Sequence, residues 1–249
     1  MSLHRLAERF SDVASPYERG RPDCPPAVVG AIAAELQLPP GATVLDLASG
    51  TGKIARALVS GGFEVIAVEP QAPLRAVLLE RAAGANVLDG IAEQIPLPDG
   101  SVDAITIGDA FHWFDRPRAL TEISRVLRAR GGLALITTGA DWRQASWSDQ
   151  LVELIQRTRP EHPYFDGEPW QQSVNAAGAF SEPWDVRIVV SQPTTPERIV
   201  DHIASFSWIA AMPEAEREQT LTSIRALIEA GQTPPQLPVN FYVGLARRV

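Results

Sequence analysis

The sequence predicts an α/β protein built on a doubly wound sheet. Three observations predict it. Short apolar runs alternate with helix-spaced segments through the first two-thirds of the chain. The links between them are short, which implies parallel strands joined by crossover helices. A glycine turn, Gly50-Thr51-Gly52, separates the first strand pattern from the helix pattern that follows it.

In order, Thr43 to Leu47 is an apolar run after Pro39-Pro40-Gly41 and reads as a buried strand. Lys53 to Ser60 reads as a helix ended by Gly61-Gly62. Glu64 to Val68 is a second strand. Ala72 to Ala83 carries Leu74, Val77 and Leu78 at helical spacing and stops at Gly84. Asn86 to Leu88 is a short third strand, and Ser101 to Ile107 a fourth after the turn Pro98-Asp99-Gly100. Arg118 to Arg128 is a helix with Leu120, Ile123, Val126 and Leu127 on one face. Leu133 to Thr137 is a fifth strand. The pattern then loosens. Ser148 to Arg157 is one helix, Val186 to Val190 a strand, Pro196 to Ala211 and Pro213 to Ala230 two helices, and Val239 to Ala246 a last strand. The expected organisation is one domain over 1–249. It comprises N-terminal helices to 40, a core over 41–139, a variable cap-like region over 140–238 that includes strand six, and the last strand over 239–249.

Bulk properties narrow the function classes. A chain of 249 residues permits one large domain, and 45 % hydrophobic with 21 % charged residues is ordinary for a globule. One cysteine, Cys24, excludes an intramolecular disulfide and a multi-cysteine zinc site, and it reads as a bland thiol. The histidines His4, His162 and His202 have no ligand spacing, so no metal is expected. A net charge of −8 argues against nucleic acid, which wants a basic face. Arg125, Arg128 and Arg130 read as cations at a helix C-terminus, where they suit the dipole. MSLHRLAERF has no apolar core of a signal peptide, and no apolar run approaches a membrane span. The expectation is a cytoplasmic monomer or homodimer.

The glycine turn admits three readings. A P-loop needs glycine at 47 and a hydroxyl at 54; Leu47 and Ile54 stand there, which leaves Lys53 a solvated first-turn residue. A dinucleotide fingerprint fits residues 50 to 55, and Glu69 follows Gly50 by 19 residues. That reading ignores Asp46. Asp46-x-Ala48-x-Gly50-x-Gly52 resembles motif I of the class I S-adenosylmethionine-dependent methyltransferases. Such a ligand has no pyrophosphate but carries an ammonium and a cationic sulfur, so a nearby carboxylate suits it. Ala48 stands where that family usually has glycine, a mild departure if the local φ is negative.

The resemblance extends along nearly the whole chain, from about Phe10 to Arg248. Glu69 and Pro70 end "EVIAVEP", and Gly90-Ile91-Ala92-Glu93-Gln94-Ile95-Pro96 is similar to the family's adenine turn, with Ile91 in place of a polar residue. Ala110-Phe111-His112-Trp113-Phe114 resembles the A-[LF]-H-W-F motif of a small-molecule, type 11-like branch. That branch includes trans-aconitate-type carboxyl methyltransferases and many bacterial proteins. Glu122 to Leu127 with Gly131-Gly132 is similar to its E-x-x-R-V-L-x-P-G-G passage, with Arg130 for the proline. Tyr17-Glu18-Arg19-Gly20-Arg21-Pro22 is similar to an N-terminal segment that folds over the cofactor.

The resemblance implies a seven-stranded sheet of order 3-2-1-4-5-7-6 with the last strand antiparallel and helices on both faces. It implies S-adenosyl-L-methionine as cofactor and S-adenosyl-L-homocysteine as product. The cofactor residues it marks are Tyr17, Arg21, Asp46, Ala48, Ser49, Gly50, Gly52, Glu69, Pro70, Gly90, Ile91, Ala92, Glu93, Asp109 and Ala110. Phe111, His112, Trp113 and Trp142 are the substrate candidates. The implied reaction moves a methyl group in line to an O, N or C nucleophile of a small molecule. His112 is the candidate base, because its ordinary pKa lies near neutrality; the competing role is to lock its loop by hydrogen bonding. Asp109 either contacts ligand or caps the following helix. Two alternatives stand beside this reading: a non-catalytic cofactor-binding partner, and a nicotinamide oxidoreductase, which a sheet lacking the antiparallel last strand would favour.

Overall fold

The computed structural model describes residues 4–249; residues 1–3 of the expected N-terminal segment lie outside it. A 3-10 helix, Ala7–Val13, leads to α1 (Ala14–Gly20), α2 (Pro26–Glu35), β1 (Thr43–Leu47), α3 (Lys53–Ser60), β2 (Glu64–Val68), α4 (Ala72–Arg81) and β3 (Asn86–Leu88). Next come β4 (Val102–Gly108), a second 3-10 turn (Phe111–Trp113), α5 (Arg116–Val126), β5 (Leu127–Ala140), α6 (Ser148–Thr158), α7 (Pro163–Asp166) and α8 (Trp170–Ala177). The chain continues through β6 (Trp184–Pro193), α9 (Pro196–Ala204), α10 (Ser207–Ala210), α11 (Glu214–Ala230) and β7 (Gln236–Arg247).

The strands form one sheet of order β3-β2-β1-β4-β5-β7-β6, with helices around it and the last strands antiparallel. The condition set for a nicotinamide fold, a sheet without that antiparallel strand, is not met. β1 lies between β2 and β4, both parallel to it, with Leu45 opposite Ile66 on one side and Ile105 on the other. A strand covered on both faces needs apolar residues at successive positions, and Val44, Leu45 and Leu47 are all buried.

Two compact units share the chain. The sheet unit comprises Asp23–Thr138, Asp166–Ile188 and Phe241–Val249. Its core joins Leu45, Leu47, Ile105, Ile107 and Leu133 of the strands to Leu120, Ile123 and Val126 of α5. The helical unit takes the segment ending at Pro22, Gly139–Phe165 and Val189–Asn240. Trp147, Leu151, Ile199, Ile203, Ile209, Ile224 and Ile228 form its own apolar core. The expected cap region 140–238 is therefore split. Residues 166–188 belong with the sheet because α8 packs on α5 and Trp170 lies against the sheet core.

Several boundaries differ from the sequence reading for local reasons. α5 begins at Arg116 because Asp115 caps it, its side chain accepting from the Arg118 N–H. It ends at Val126, since Leu127 is already extended. Arg128 and Arg130 thus lie on β5, not at a helix end; Arg128 pairs with Asp103 at 2.5 Å, and Arg130 sits at φ 64° where β5 bulges against β4. The single helix read over 196–211 is two, α9 and α10. Ser205 closes α9, its hydroxyl donating to the His202 carbonyl at 2.6 Å, and Phe206 is extended. The strands β5, β6 and β7 extend beyond their apolar runs.

Candidate cofactor and active site

The parallel register sets Asp46 on β1 opposite Ala67 of β2 and Thr106 of β4. Its side chain is 2 % exposed. The Thr106 hydroxyl donates to Oδ1 at 2.9 Å, and buried Oδ2 lacks a hydrogen-bond partner. Burial pushes its pKa up to about 7, and the negative charge of Glu69 adds to the push. The Thr106 and Ser49 hydroxyls and the Ala55 N–H draw it back, although neither Ser49 nor Ala55 makes a well-formed bond to Oδ2.

Beyond β1 the chain turns tightly. Ser49 donates its N–H to the Val68 carbonyl and its hydroxyl to the Asp46 carbonyl at 2.6 Å. Gly50 has φ 58° and Gly52 φ 85°. A Cβ on Gly52 would also stand 2.4 Å from the terminal Cδ1 of Leu78, which would have to shift, so the left-handed φ is the stronger reason for glycine there. Ala48 has φ 57°, so its departure from glycine is not mild: an L-residue stands in a left-handed conformation. Thr51 Oγ1 is buried and unpartnered. Lys53 is not a solvated residue. Its side chain is 11 % exposed, and its ammonium pairs with Asp23 at 2.7 Å. Cys24 beside that pair is pushed up to about 12, mainly by burial, which makes it an inert thiol at neutral pH.

Glu69 directly follows β2 and is 3 % exposed. Oε2 accepts the Gly50 N–H and Oε1 the Gln71 N–H, both at 2.9 Å. Each oxygen keeps a lone pair for a further donor. Burial raises its pKa, and the two N–H donors oppose the rise. Asp46 and Glu69 thus put two buried carboxylates around one glycine turn.

After β3, Ile91 bridges Gln94 in a small antiparallel turn, and Ala92 and Ile95 are buried in the sheet core. Glu93 places Oε1 on the Asp115 N–H at 2.9 Å, so its carboxylate ties this turn to the start of α5. Glu122 and Arg125, which in the sequence are only part of the E-x-x-R passage, brace the next stretch. Glu122 accepts the Ile95 N–H at 2.9 Å. Arg125 reaches Glu122, Asp99 and the carbonyls of Ile95 and Leu97 within 3.0 Å. Hydrogen bonding to Arg125 lowers the Glu122 pKa.

At the end of β4, Asp109 has φ 48° and accepts the Thr138 N–H at 3.1 Å, while Asp115 does the capping of α5. Ala110 and Phe111 are buried. The Phe111 ring meets Phe114 edge-on at 6.0 Å and lies 5.2 Å beneath the Arg116 guanidinium. His112 and Trp113 are half-buried neighbours, ring centroids 4.5 Å apart. The predicted residues of the sheet unit thus lie at or just beyond the carboxyl ends of β1, β2, β3 and β4, where ligands bind open parallel sheets.

Three predicted residues belong to the helical unit. The Arg21 guanidinium lies 5.2 Å from the Tyr17 ring and 5.4 Å from Phe206, and its Nε donates to Ser205 at 2.9 Å. Arg19 pairs with Asp201 at 2.7 Å. A Cβ on Gly20 would stand 2.1 Å from the His202 backbone nitrogen, so α1 lies directly on α9. Trp142 packs against Trp147 and His202. Among the described residues no group of His, Cys, Asp and Glu is disposed to hold a metal, and no helix is long and apolar enough to cross a membrane.

The sheet order and the glycine turn at the end of β1 define the methyltransferase class of α/β proteins. A family profile described as "Methyltransferase domain" matches residues 45–135. An uncharacterized methyltransferase of Mycobacterium tuberculosis is 36 % identical over 228 residues, which covers 91 % of this chain and 88 % of that protein. A proposed type II methyltransferase from Anaeromyxobacter dehalogenans superposes with a TM-score of 0.66 at 24 % identity, covering 92 % of this chain and 97 % of that one. A phosphoethanolamine N-methyltransferase from Haemonchus contortus, solved with phosphomonomethylethanolamine and S-adenosylhomocysteine, gives a TM-score of 0.57 at 16 % identity; all of this chain matches 60 % of it. The chain belongs to the class I S-adenosylmethionine-dependent methyltransferases.

Proposed function

We propose that the protein methylates a small molecule at O, N or C, with S-adenosyl-L-methionine as the donor. The observation that carries this reading is the pair of buried carboxylates, Asp46 and Glu69, around the glycine turn. Two buried carboxylates disfavour a pyrophosphate, and a ligand bearing cations stabilises their ionised forms. Unpartnered Asp46 Oδ2 and Thr51 Oγ1 leave polar capacity at the turn. In this reading Glu69 takes the ribose hydroxyls on its remaining lone pairs. Pro70 and Ile91 flank the adenine, and the backbone of residues 48–52 approaches the amino acid portion. The bound donor supplies a methyl group on a positively charged sulfur.

The chain's own part is to bind, orient and exclude water. A carboxylate nucleophile needs no base; a hydroxyl or neutral amine needs one, and in this reading His112, in the turn after β4, takes that role. Trp113 beside it offers an aromatic face to substrate. The same reading makes the protein cytoplasmic, without nucleic-acid or membrane partners.

Calorimetry with S-adenosylhomocysteine and with NAD tests the cofactor. Binding of the first and not the second is expected; the reverse sinks the proposal. A methyl-transfer screen against small metabolites then identifies the acceptor.

A further inference from the structure

Arg75 stands on α4, outside every motif the sequence singled out, and makes four polar contacts at the mouth of two strands. Its Nη1 shares two N–H groups among the Glu69 carbonyl at 2.8 Å, the Pro70 carbonyl at 2.6 Å and Asp89 Oδ1 at 3.1 Å. Its Nη2 donates to Asp89 Oδ2 at 3.1 Å. The guanidinium side chain is 20 % exposed and that of Asp89 70 %. An exposed ion pair alone contributes little. The two carbonyl contacts change that, because they fix backbone, not side chain. Glu69 and Pro70 follow β2; Asp89 follows β3 and directly precedes Gly90. One planar fork therefore pins the chain after β2 to the chain after β3.

We infer that Arg75 is a positioning residue for the adenosine half of the cofactor, setting the Glu69–Pro70 corner against the Asp89–Gly90 turn before ligand arrives. The inference rests on the cofactor reading proposed above. The Glu69 carboxylate is already oriented by the Gly50 and Gln71 N–H groups. The Glu69 N–H also donates to the Leu88 carbonyl at 3.1 Å, which ties that residue to the end of β3; one residue further on, Arg75 joins the Pro70 carbonyl to the Asp89 carboxylate. Lysine cannot replace it: one ammonium has three donors on a point charge, whereas the fork reaches two carbonyls and both carboxylate oxygens at once.

The test compares S-adenosylhomocysteine with 5′-methylthioadenosine, which keeps adenine and ribose and lacks the amino acid portion. Calorimetry is run on the wild type, Arg75→Ala, Arg75→Lys and Asp89→Asn. Arg75→Ala is expected to weaken both ligands by the same factor, about tenfold, at unchanged stoichiometry. Arg75→Lys is expected not to rescue, and Asp89→Asn to lose about threefold, since the carbonyl contacts remain. A variant that merely folds less well would bind at lower stoichiometry with unchanged affinity, and that result overturns the inference. So does a loss confined to S-adenosylhomocysteine. Wild-type protein that binds neither ligand overturns the cofactor reading and this inference together. Wild-type protein that binds both, with variants of unchanged affinity, overturns this inference alone.

Discussion

Ala48 is the residue where local conformation and residue type disagree most plainly. Its φ of 57° belongs to glycine, and an L-residue there costs about 1–2 kcal/mol, partly offset by glycine's larger unfolded-state entropy. Ala48→Gly is therefore expected to stabilise the protein by about 0.5–1 kcal/mol, read as a rise in the urea midpoint. Asp46 makes a pH prediction. Its native pKa, about 7, lies above its unfolded value. The native state then binds the extra proton, so this contribution is fully present below the unfolded pKa and is lost as pH rises through 7, at up to about 1.4 kcal/mol per pH unit. Asp46→Asn should flatten that slope in denaturation series at pH 5, 6, 7 and 8. His112 carries a third expectation. For a hydroxyl or amine acceptor, His112→Ala should lower kcat by about 10²–10⁴ with cofactor affinity unchanged. An unaltered kcat would remove His112 as a base.

The elements show why the chain's motifs are where they are. Glu93, Glu122 and Arg125 are remote in sequence from the loops they hold, yet each bonds a backbone group of the 91–99 stretch or the start of α5. Arg125→Ala should destabilise by about 1–3 kcal/mol, because it orphans the Ile95 and Leu97 carbonyls and the Glu122 carboxylate together. Thermal unfolding of Arg125→Ala and of Glu122→Gln checks it, and the two should couple in a double-mutant cycle. The strands β1 to β4 and helices α3 to α5 were legible because their apolar spacing is locally enforced. Asp46, Gly52 and Glu69 were legible because a tight turn after a strand restricts residue types. α8 was not, since its apolar residues Trp170 and Val174 face α5 and the sheet core without a long periodic run. Arg75 was not, because a surface arginine in a helix carries no sign of the carbonyls it meets. The break between α9 and α10 depends on a serine hydroxyl turning back on its own helix, which residue spacing does not report.

At the scale of the molecule, ligand and fold are linked by mass action. A ligand that binds only the native state raises stability by RT ln(1 + [L]/Kd), about 2.7 kcal/mol at a hundredfold excess over Kd. S-adenosylhomocysteine at that excess should raise the Tm by several degrees, and NAD at the same concentration should not. A scan showing the opposite order would return the glycine turn to the dinucleotide reading. The acidic balance, with 30 acidic against 22 basic residues, sets no obstacle to a cationic donor and favours its approach.

The sheet order has a consequence for synthesis. β7 lies between β5 and β6, yet follows both in the chain. Until Gln236–Arg247 is made, β5 and β6 have an open slot between them and two rows of unpaired backbone donors and acceptors. A nascent chain therefore carries, for the interval in which α9 to α11 emerge, an interior gap that any extended segment nearby can enter. The last strand closes it by long-range pairing, which is slow relative to helix formation.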